Sequence, residues 1–351
     1  MIHSVLAAGH RGLRSDRNFN NEIGLPLSLL ELEAAHEFGV FEMGAARRGD
    51  IGQLCEIAQP EVGVITRIGK AHLETFGTLE AIYDGKCELL ESLPHHGFAV
   101  VAGDDEAIRA RAVRAACPVI FVGEGRENQL RATDVEFRPG RLQFTADRRT
   151  WVLPAPARHY LTAALCALAV AREIGMEPAA IAEGFRGFVS PPGRCRVEEA
   201  GTCTIIDDTY NANPLSMQAA CLCLAGWPGH GHKLLIAGDM LELGSETRSS
   251  HRELGACVAA TSVDRLLAFG DSAGDVSWGA LHAGMRSHVI AECHELGVLL
   301  TVLDCWLEPG DVVLVKGSRG MRMERVVQWL KQRGDESRAE RQLPFAARAV
   351  A

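Results

Sequence analysis

A lysine on the apolar face of a helix is the first residue that could do chemistry. In TFGTLEAIYDGKCELLESLP (75–94), Thr78 can cap a helix running to about Leu93. Leu79, Ile82, Leu89 and Leu93 share one face at the spacing of a buried stripe, and Lys86 falls on that face too. A lysine there snorkels, pairs with an acid, or loses its charge. A neutral amine can also take up carbon dioxide, and the resulting carbamate is an anionic ligand for a hard cation. Glu42 ends the strand-like GVFEM (39–43), and His72 follows the strand-like VGVIT (62–66) by a short loop. Both are expected at one sheet edge near the start of the lysine helix. The acid, the imidazole and the amine together could hold Mg²⁺, which prefers oxygen ligands and keeps several waters. Each of the three, taken alone, also has a structural reading.

A second set lies in IIDDTYNANPLSMQAA (205–220). Asn213 before Pro214 is a helix start, with Asn as N-cap and Pro in the first turn. Capping accounts for Asn213 without any function. It does not account for Asp207, Asp208, Tyr210 and Asn211 in a strand-to-helix loop. An asparagine side chain presents a paired donor and acceptor, which suits the edge of a purine. GDMLELG (238–244) and VKGSRG (315–320) add Asp239, Lys316, Ser318 and Arg319 at neighbouring strand ends. Lys316 and Arg319 could hold a carboxylate or phosphate; a solvated helix start is the alternative for Arg319.

Parallel strands would position these residues. In the first part, GVFEM, VGVIT, FAVVAG (98–103) and PVIFVG (118–123) read as buried strands between helical stretches. DVEFRPGRLQFTADRRTWVLP (134–154) changes to period two with a Pro-Gly turn, an antiparallel hairpin region. Helices are expected at about 158–174 and 178–186. SPPGR (190–194) is the expected domain boundary. Beyond it, TIIDD (204–208), KLLIAGD (233–239), RLLAFGD (265–271) and VVLVKGS (312–318) repeat one theme, an apolar strand with a polar end. That is a doubly wound parallel sheet, which binds ligands at the carboxyl ends of its strands. From about Gly334 the charged, aperiodic sequence predicts a loose tail.

Composition narrows the classes. The 351 residues are enough for two domains, and 47% hydrophobic with 23% charged residues is a soluble globular mixture. The net charge of −9 argues against nucleic acid as the main partner. Eleven cysteines without metal or pairing spacing fit a reducing cytoplasm. No apolar run reaches membrane-spanning length. No G-x-G-x-x-G follows a strand, which disfavours a Rossmann oxidoreductase.

Taken together, RNFNNEIGLPLSLL (17–30), FEMGA (41–45), AHLETFGTLEAIYDGKCE (71–88), DDTYNANPLSMQAA (207–220), GDMLELG with His251, and VLVKGSRGMRMERVV (313–327) resemble the Mur ligase family. The resemblance covers about residues 1–333. It implies an α/β chain with a central parallel-sheet ATPase-like domain at 1–192, incomplete at its amino end. A Rossmann-like C-terminal domain would follow at 193–333, then the tail at 334–351. It implies a cytoplasmic ATP-dependent ligase joining D-Ala-D-Ala to UDP-N-acetylmuramoyl-tripeptide through an acyl phosphate, in cell-wall precursor synthesis. Glu42 and His72 would ligate Mg²⁺, with Lys86 as a carbamate. Tyr210, Asn211 and Asn213 would lie at the adenine and Asp239 near the ribose. Asn20, Asn21, Glu22, Lys316, Ser318 and Arg319 would face the other substrates.

The sequence departs from the family pattern in three places. The family places a strand and a Gly-Lys-Thr or Gly-Lys-Ser phosphate loop ahead of residues like Met1–Ala8, and no G-x-x-x-x-G-K-[ST] occurs in this sequence. The expectation is a sheet edge left exposed and little ligase activity from these residues alone, unless a separate N-terminal fragment supplies the loop. A non-catalytic homologue that binds a nucleotide or a protein partner is the alternative. Arg67 and Tyr160 stand where the family has asparagine, and both add doubt to ATP handling.

Overall fold

The computed structural model describes residues 1–16, 18–69, 73–138, 140–155 and 157–342. The chain divides into two units, Met1–Val189 and Ser190–Ala351.

The first unit runs α1 (Ile2–Leu6), β1 (Gly12–Arg14), α2 (Gly24–Leu30), β2 (Phe38–Val40), α3 (Asp50–Ala58), β3 (Val62–Ile65), α4 (Leu73–Phe76), α5 (Leu79–Glu91), β4 (Phe98–Ala102), α6 (Glu106–Arg111), β5 (Val119–Gly123) and β6 (Leu130–Arg131). The antiparallel strands β7 (Thr133–Arg138), β8 (Arg141–Ala146) and β9 (Arg149–Leu153) follow, then α7 (Tyr160–Glu173) and α8 (Pro178–Arg186). The parallel strands form two ladders, β1-β2 and β3-β4-β5-β6. Phe38 and Val40 of β2 and Val62 and Val64 of β3 nevertheless pack on one core, together with Val100 of β4 and Val122 of β5. Val100 and Val122 are fully buried, whereas the four residues on β2 and β3 are half-buried. Among the described residues, β2 and β3 each present an edge that pairs with no strand. The expected strand GVFEM is therefore only Phe38–Val40, and Glu42 sits in the segment after it. A strand with one paired edge keeps only the residues whose backbone groups find partners.

Helix α5 is capped by Thr78, whose hydroxyl accepts from Ala81 N at 3.1 Å. Its buried positions are Ile82, Gly85, Cys87 and Leu90, while Leu79 and Leu89 are half-buried. The single stripe expected from the sequence is broader because α5 packs on β3 and also on α3, α4 and α6. Gly85 lets α4 approach closely, since a Cβ there would meet the Phe76 ring at 2.7 Å.

The second unit contains β10 (Arg196–Ala200), β11 (Cys203–Asp208), α9 (Pro214–Ala225), β12 (Lys233–Gly238), α10 (Thr247–Ala259), β13 (Arg265–Phe269), α11 (Ala273–His282), β14 (Ile290–Cys293), α12 (Leu296–Trp306), β15 (Val312–Lys316) and α13 (Glu324–Gln342). Its one sheet has the order β10-β11-β15-β12-β13-β14, parallel except for β10. The four strands expected from sequence lie side by side at its centre. The expected loose tail from Gly334 is helical as far as Gln342, where α13 ends, and its remainder lies outside the described residues. The stretch lacks proline and is rich in Glu, Arg and Gln, good helix formers. Gly334 lies where α13 crosses the β10–β11 turn, and a Cβ there would meet the Ala200 carbonyl carbon at 2.5 Å.

Candidate active site

In the first unit the candidate residues gather after β2. The Asn20 amide donates to Glu42 Oε1 at 3.0 Å, and the Ser15 hydroxyl accepts from Glu42 N at 3.1 Å. The following loop is pinned from two sides. Asp50 Oδ2 accepts from Ala46 N and Arg47 N at 2.9 and 3.0 Å. From α5, Glu88 accepts from Gly49 N and Gly52 N at 2.7 and 3.1 Å. The carboxylate thus serves the start of α3, whose free N–H groups attract negative charge.

Lys86, two residues before Glu88 on α5, is half-buried. Burial holds its pKa below the usual lysine range, and the Glu42 carboxylate opposes that shift. The structure thus joins Asn20 to Glu42, with Lys86 on α5 within the field of the Glu42 carboxylate. His72 lies outside the described residues. Arg67 is exposed. Tyr160 opens α7 with its ring against Phe188 at 5.7 Å.

Asn21 has a different job from the one expected. Its Oδ1 accepts from Gly24 N at 2.8 Å and Ile23 N at 3.3 Å, so it terminates the amino end of α2. Glu22 is exposed beside it.

In the second unit the polar strand ends form a network at the carboxyl edge of the sheet. Lys316, only 2% exposed, pairs with Asp208 Oδ2 at 2.7 Å and donates to the Asn211 carbonyl at 2.8 Å. Ser318 donates to the Ala212 carbonyl at 3.3 Å and accepts from Leu241 N at 2.9 Å. The expectation that Lys316 and Ser318 face a peptide meets side chains that already have protein partners. Both are buried, and their polar atoms hold the loop after β11 against the ends of β12 and β15. A buried cation needs a paired anion, and Asp208 supplies it. Arg319 remains largely exposed, with Glu324 at 3.4 Å.

Asn213 is the N-cap of α9 with a full capping box, its Oδ1 accepting from Ser216 N at 2.8 Å. The Asn211 Oδ1 accepts from Ala212 N at 2.9 Å. Both side-chain oxygens are therefore engaged locally. Asp239 is buried beyond β12 and accepts from Asp271 N and Ser272 N at 2.8 and 3.1 Å. Burial raises its pKa, and those two N–H bonds work against the rise. His251 Nδ1 faces the Thr247 carbonyl at 2.6 Å while Nε2 accepts from Met240 N at 3.0 Å. Those partners assign the neutral tautomer with the proton on Nδ1, so the 3.9 Å approach to Asp239 is not an ion pair.

One residue was missed from sequence. Arg194 lies over the Tyr210 ring at 4.0 Å, a cation–aromatic platform beside the loop. Gly193 makes the approach possible with φ of +71° and its carbonyl accepting from Tyr210 N at 3.0 Å. The SPPGR stretch signalled a boundary, and nothing local in it pointed to a residue sixteen positions on.

Comparison with known proteins decides the lineage. Residues 2–171 match the Mur ligase middle domain, and residues 193–319 match the Mur ligase glutamate ligase domain. This chain belongs to the Mur ligase family. It is 32% identical over 330 residues to the UDP-N-acetylmuramoyl-tripeptide–D-alanyl-D-alanine ligase of Bacillus subtilis, covering 93% of this chain and 71% of that one. The crystal structure of MurF from Acinetobacter baumannii superposes with a TM-score of 0.84 at 29% identity, over 94% of this chain and 73% of that one. MurF ligase from Thermotoga maritima, solved in complex with ADP, gives 0.82 at 30% identity, over 95% and 76%. In this Mur ligase Glu42 and Lys86 belong to the middle domain and the carboxyl-edge network to the glutamate ligase domain. No described helix is long and apolar enough to cross a membrane.

Proposed function

We propose that the chain carries the middle and C-terminal machinery of an ATP-dependent ligase that joins D-Ala-D-Ala to UDP-N-acetylmuramoyl-tripeptide. In this reading ATP converts the tripeptide carboxylate to an acyl phosphate, and the dipeptide amine displaces phosphate. The observation that carries it is the alignment of 93% of the chain with such a ligase, and the half-buried Lys86 with the Glu42 carboxylate opposing the loss of its charge is consistent with it. Reaction in the cytoplasm fits a nucleotide-activated precursor.

The oxygen donors of Glu42, Asn20 and Ser15 fit a hard divalent cation. A lysine ammonium has no lone pair to give a cation, so Lys86 would serve such a site as its carbamate. Mg²⁺ held by Glu42, His72 and carbamylated Lys86 would offset charge on the transferring phosphoryl group. The chain's own residues do the rest. Asn20 and Ser15 fix the Glu42 segment, and Glu88 and Asp50 fix the loop after it. Burial lowers the Lys86 pKa, which eases loss of its proton. Tyr210 and Arg194 offer a flat platform for a base, and Asn211 and Asn213 follow it in the same loop. Asp239 would lie near the ribose. Arg319, the exposed cation, replaces Lys316 as the candidate for a substrate carboxylate.

No stretch of residues 1–351 supplies the glycine-lined phosphate grip. We assign that grip to a segment outside them, on the same or a separate polypeptide. The unpaired edges of β2 and β3 favour a second reading for the isolated residues, a body that binds nucleotide without turnover. A coupled phosphate-release assay with UDP-N-acetylmuramoyl-tripeptide, D-Ala-D-Ala, ATP and Mg²⁺ separates the two. Residues 1–351 alone should show little turnover, and adding a polypeptide with the phosphate loop should restore it. Absence of turnover in that reconstituted mixture would overturn the ligase reading.

A further inference from the structure

We propose that the second unit carries a binding site for a small zwitterion, a free amino acid or dipeptide, at the amino ends of β12, β13 and β14. A cavity of about 400 Å³ opens there, with His232, Asp264, Arg265, Arg286, His288 and Trp306 in its lining. That volume falls in the range of small-ligand pockets. His232 and Asp264 immediately precede β12 and β13, and Arg286 and His288 stand in the turn before β14. The candidate nucleotide loop lies at the carboxyl ends of the same sheet. The six residues of β12 span about 20 Å, so the cavity is a separate place in the fold.

Some of the charges around the cavity are already paired. Arg265 donates to the Trp306 carbonyl and to Glu308 Oε1, the latter at 2.8 Å. The buried Asp311 carboxylate accepts from His232 N at 2.8 Å and Glu308 N at 2.9 Å, with the His232 ring 3.4 Å away. Three groups are left over. Arg286 and His288 are exposed, and among the described residues their side chains make no hydrogen bond or ion pair. Asp264 uses Oδ2 to accept from Lys233 N at 2.8 Å, and its Oδ1 has no partner among the described residues.

One carboxylate, one guanidinium and one imidazole thus line a single cavity with hydrogen-bonding capacity to spare. A simple anion would meet Asp264 and a simple cation would meet Arg286, and like charges brought together oppose binding. A ligand that carries both signs is matched to the pair. The guanidinium can take a carboxylate through two parallel N–H donors, and Asp264 Oδ1 can accept from an ammonium. Trp306 adds an aromatic ring to the lining, with the Arg265 guanidinium 6.0 Å from its centre.

The test is isothermal titration calorimetry of the full chain with L-alanyl-L-alanine. The L-isomer keeps the probe apart from the D-Ala-D-Ala of the proposed reaction. Saturable binding is expected, with slowed amide hydrogen exchange at 262–265 and 286–289. N-acetyl-L-alanyl-L-alanine lacks the ammonium, and L-alanyl-L-alanine amide lacks the carboxylate. Each should bind at least about tenfold more weakly, a loss of about 1.4 kcal/mol. Arg286→Gln and Asp264→Asn, both at exposed positions, should weaken the dipeptide as much while circular dichroism stays unchanged. In Asp264→Asn the acetylated analogue should recover affinity, because the repelling charge is gone. No saturable binding at millimolar dipeptide would overturn the proposal. So would equal affinity for the acetylated analogue, affinity untouched by Arg286→Gln, or exchange protection confined to the carboxyl ends of the strands.

Discussion

The two units are built from the same strand–helix–strand grammar, yet their sheets end up in different states. In the second unit β15 lies between β11 and β12, and Val313, Leu314 and Val315 are fully buried. In the first unit β2 and β3 share a core but not a ladder, and their apolar residues are half-buried. GVFEM reads as much like a strand as VVLVK, but only two residues of the first are strand, whereas all five of the second are. An apolar, β-branched sequence proposes a strand; two paired edges and two covered faces make it one. The two lysines differ in the same way. Lys316 is sealed with Asp208 inside a finished sheet, whereas Lys86 stays half-buried with its charge disfavoured.

The largest way to break this comparison is to remove the sealed charge. Lys316→Met strands the Asp208 carboxylate in the interior and should destabilise the second unit by about 3–5 kcal/mol. Urea denaturation followed by tryptophan fluorescence reads it, since Trp227, Trp278, Trp306 and Trp329 all lie in that unit. Pairing the change with Asp208→Asn should recover part of the loss. A cost no larger than a surface substitution would mean that the pair is not sealed.

Valine truncations sharpen the contrast between the sheets. Val313→Ala, in the centre of the second sheet, should cost about 2 kcal/mol from lost methyl burial plus a cavity. Val64→Ala, on the unpaired side of the first, should cost under about 1 kcal/mol. Hydrogen exchange should rank them likewise, with β2 amides exchanging well before β15 amides. Equal protection of the two would contradict the unpaired edge.

The capping box at α9 gives a smaller effect. Asn213→Ala should cost about 1 kcal/mol. If nucleotide affinity falls and stability does not, Asn213 serves the ligand rather than the helix. Asn213→Ser, which preserves a cap, separates the two roles.

The smallest expected effect is electrostatic. The folded state holds Lys86 at a lowered pKa, so it binds fewer protons there than the unfolded chain does. The cost is full below the folded pKa and is relieved as pH rises from that value toward the unfolded lysine pKa of about 10.4. Stability should therefore gain with pH across that window, and Lys86→Met should flatten the gain. An unchanged pH profile in the variant would show that Lys86 is solvated.

Much of the second unit was legible in its sequence. Four apolar runs ending in polar residues announced the parallel strands, and Asn-Pro announced the α9 cap. These signals are local, being periodicity and capping chemistry within a few residues. The strands β10 and β14 were not foreseen, because RVEEA and IAEC are edge strands whose partners lie elsewhere in the chain. The helix through Gly334 was hidden for a related reason: its residues look solvent-loving, and their order comes from the helix already nucleated at Glu324.

The candidate site divides along the same line. Its residue types were set by the sequence alone: an acid, an amine, asparagines, and cations at strand ends. Which of them are free was decided only by tertiary structure. Lys316 and Ser318 were turned inward, and Arg194 was laid on Tyr210. A side chain's chemistry is carried by its own atoms, but its availability depends on whether a distant backbone group or charge has already claimed it.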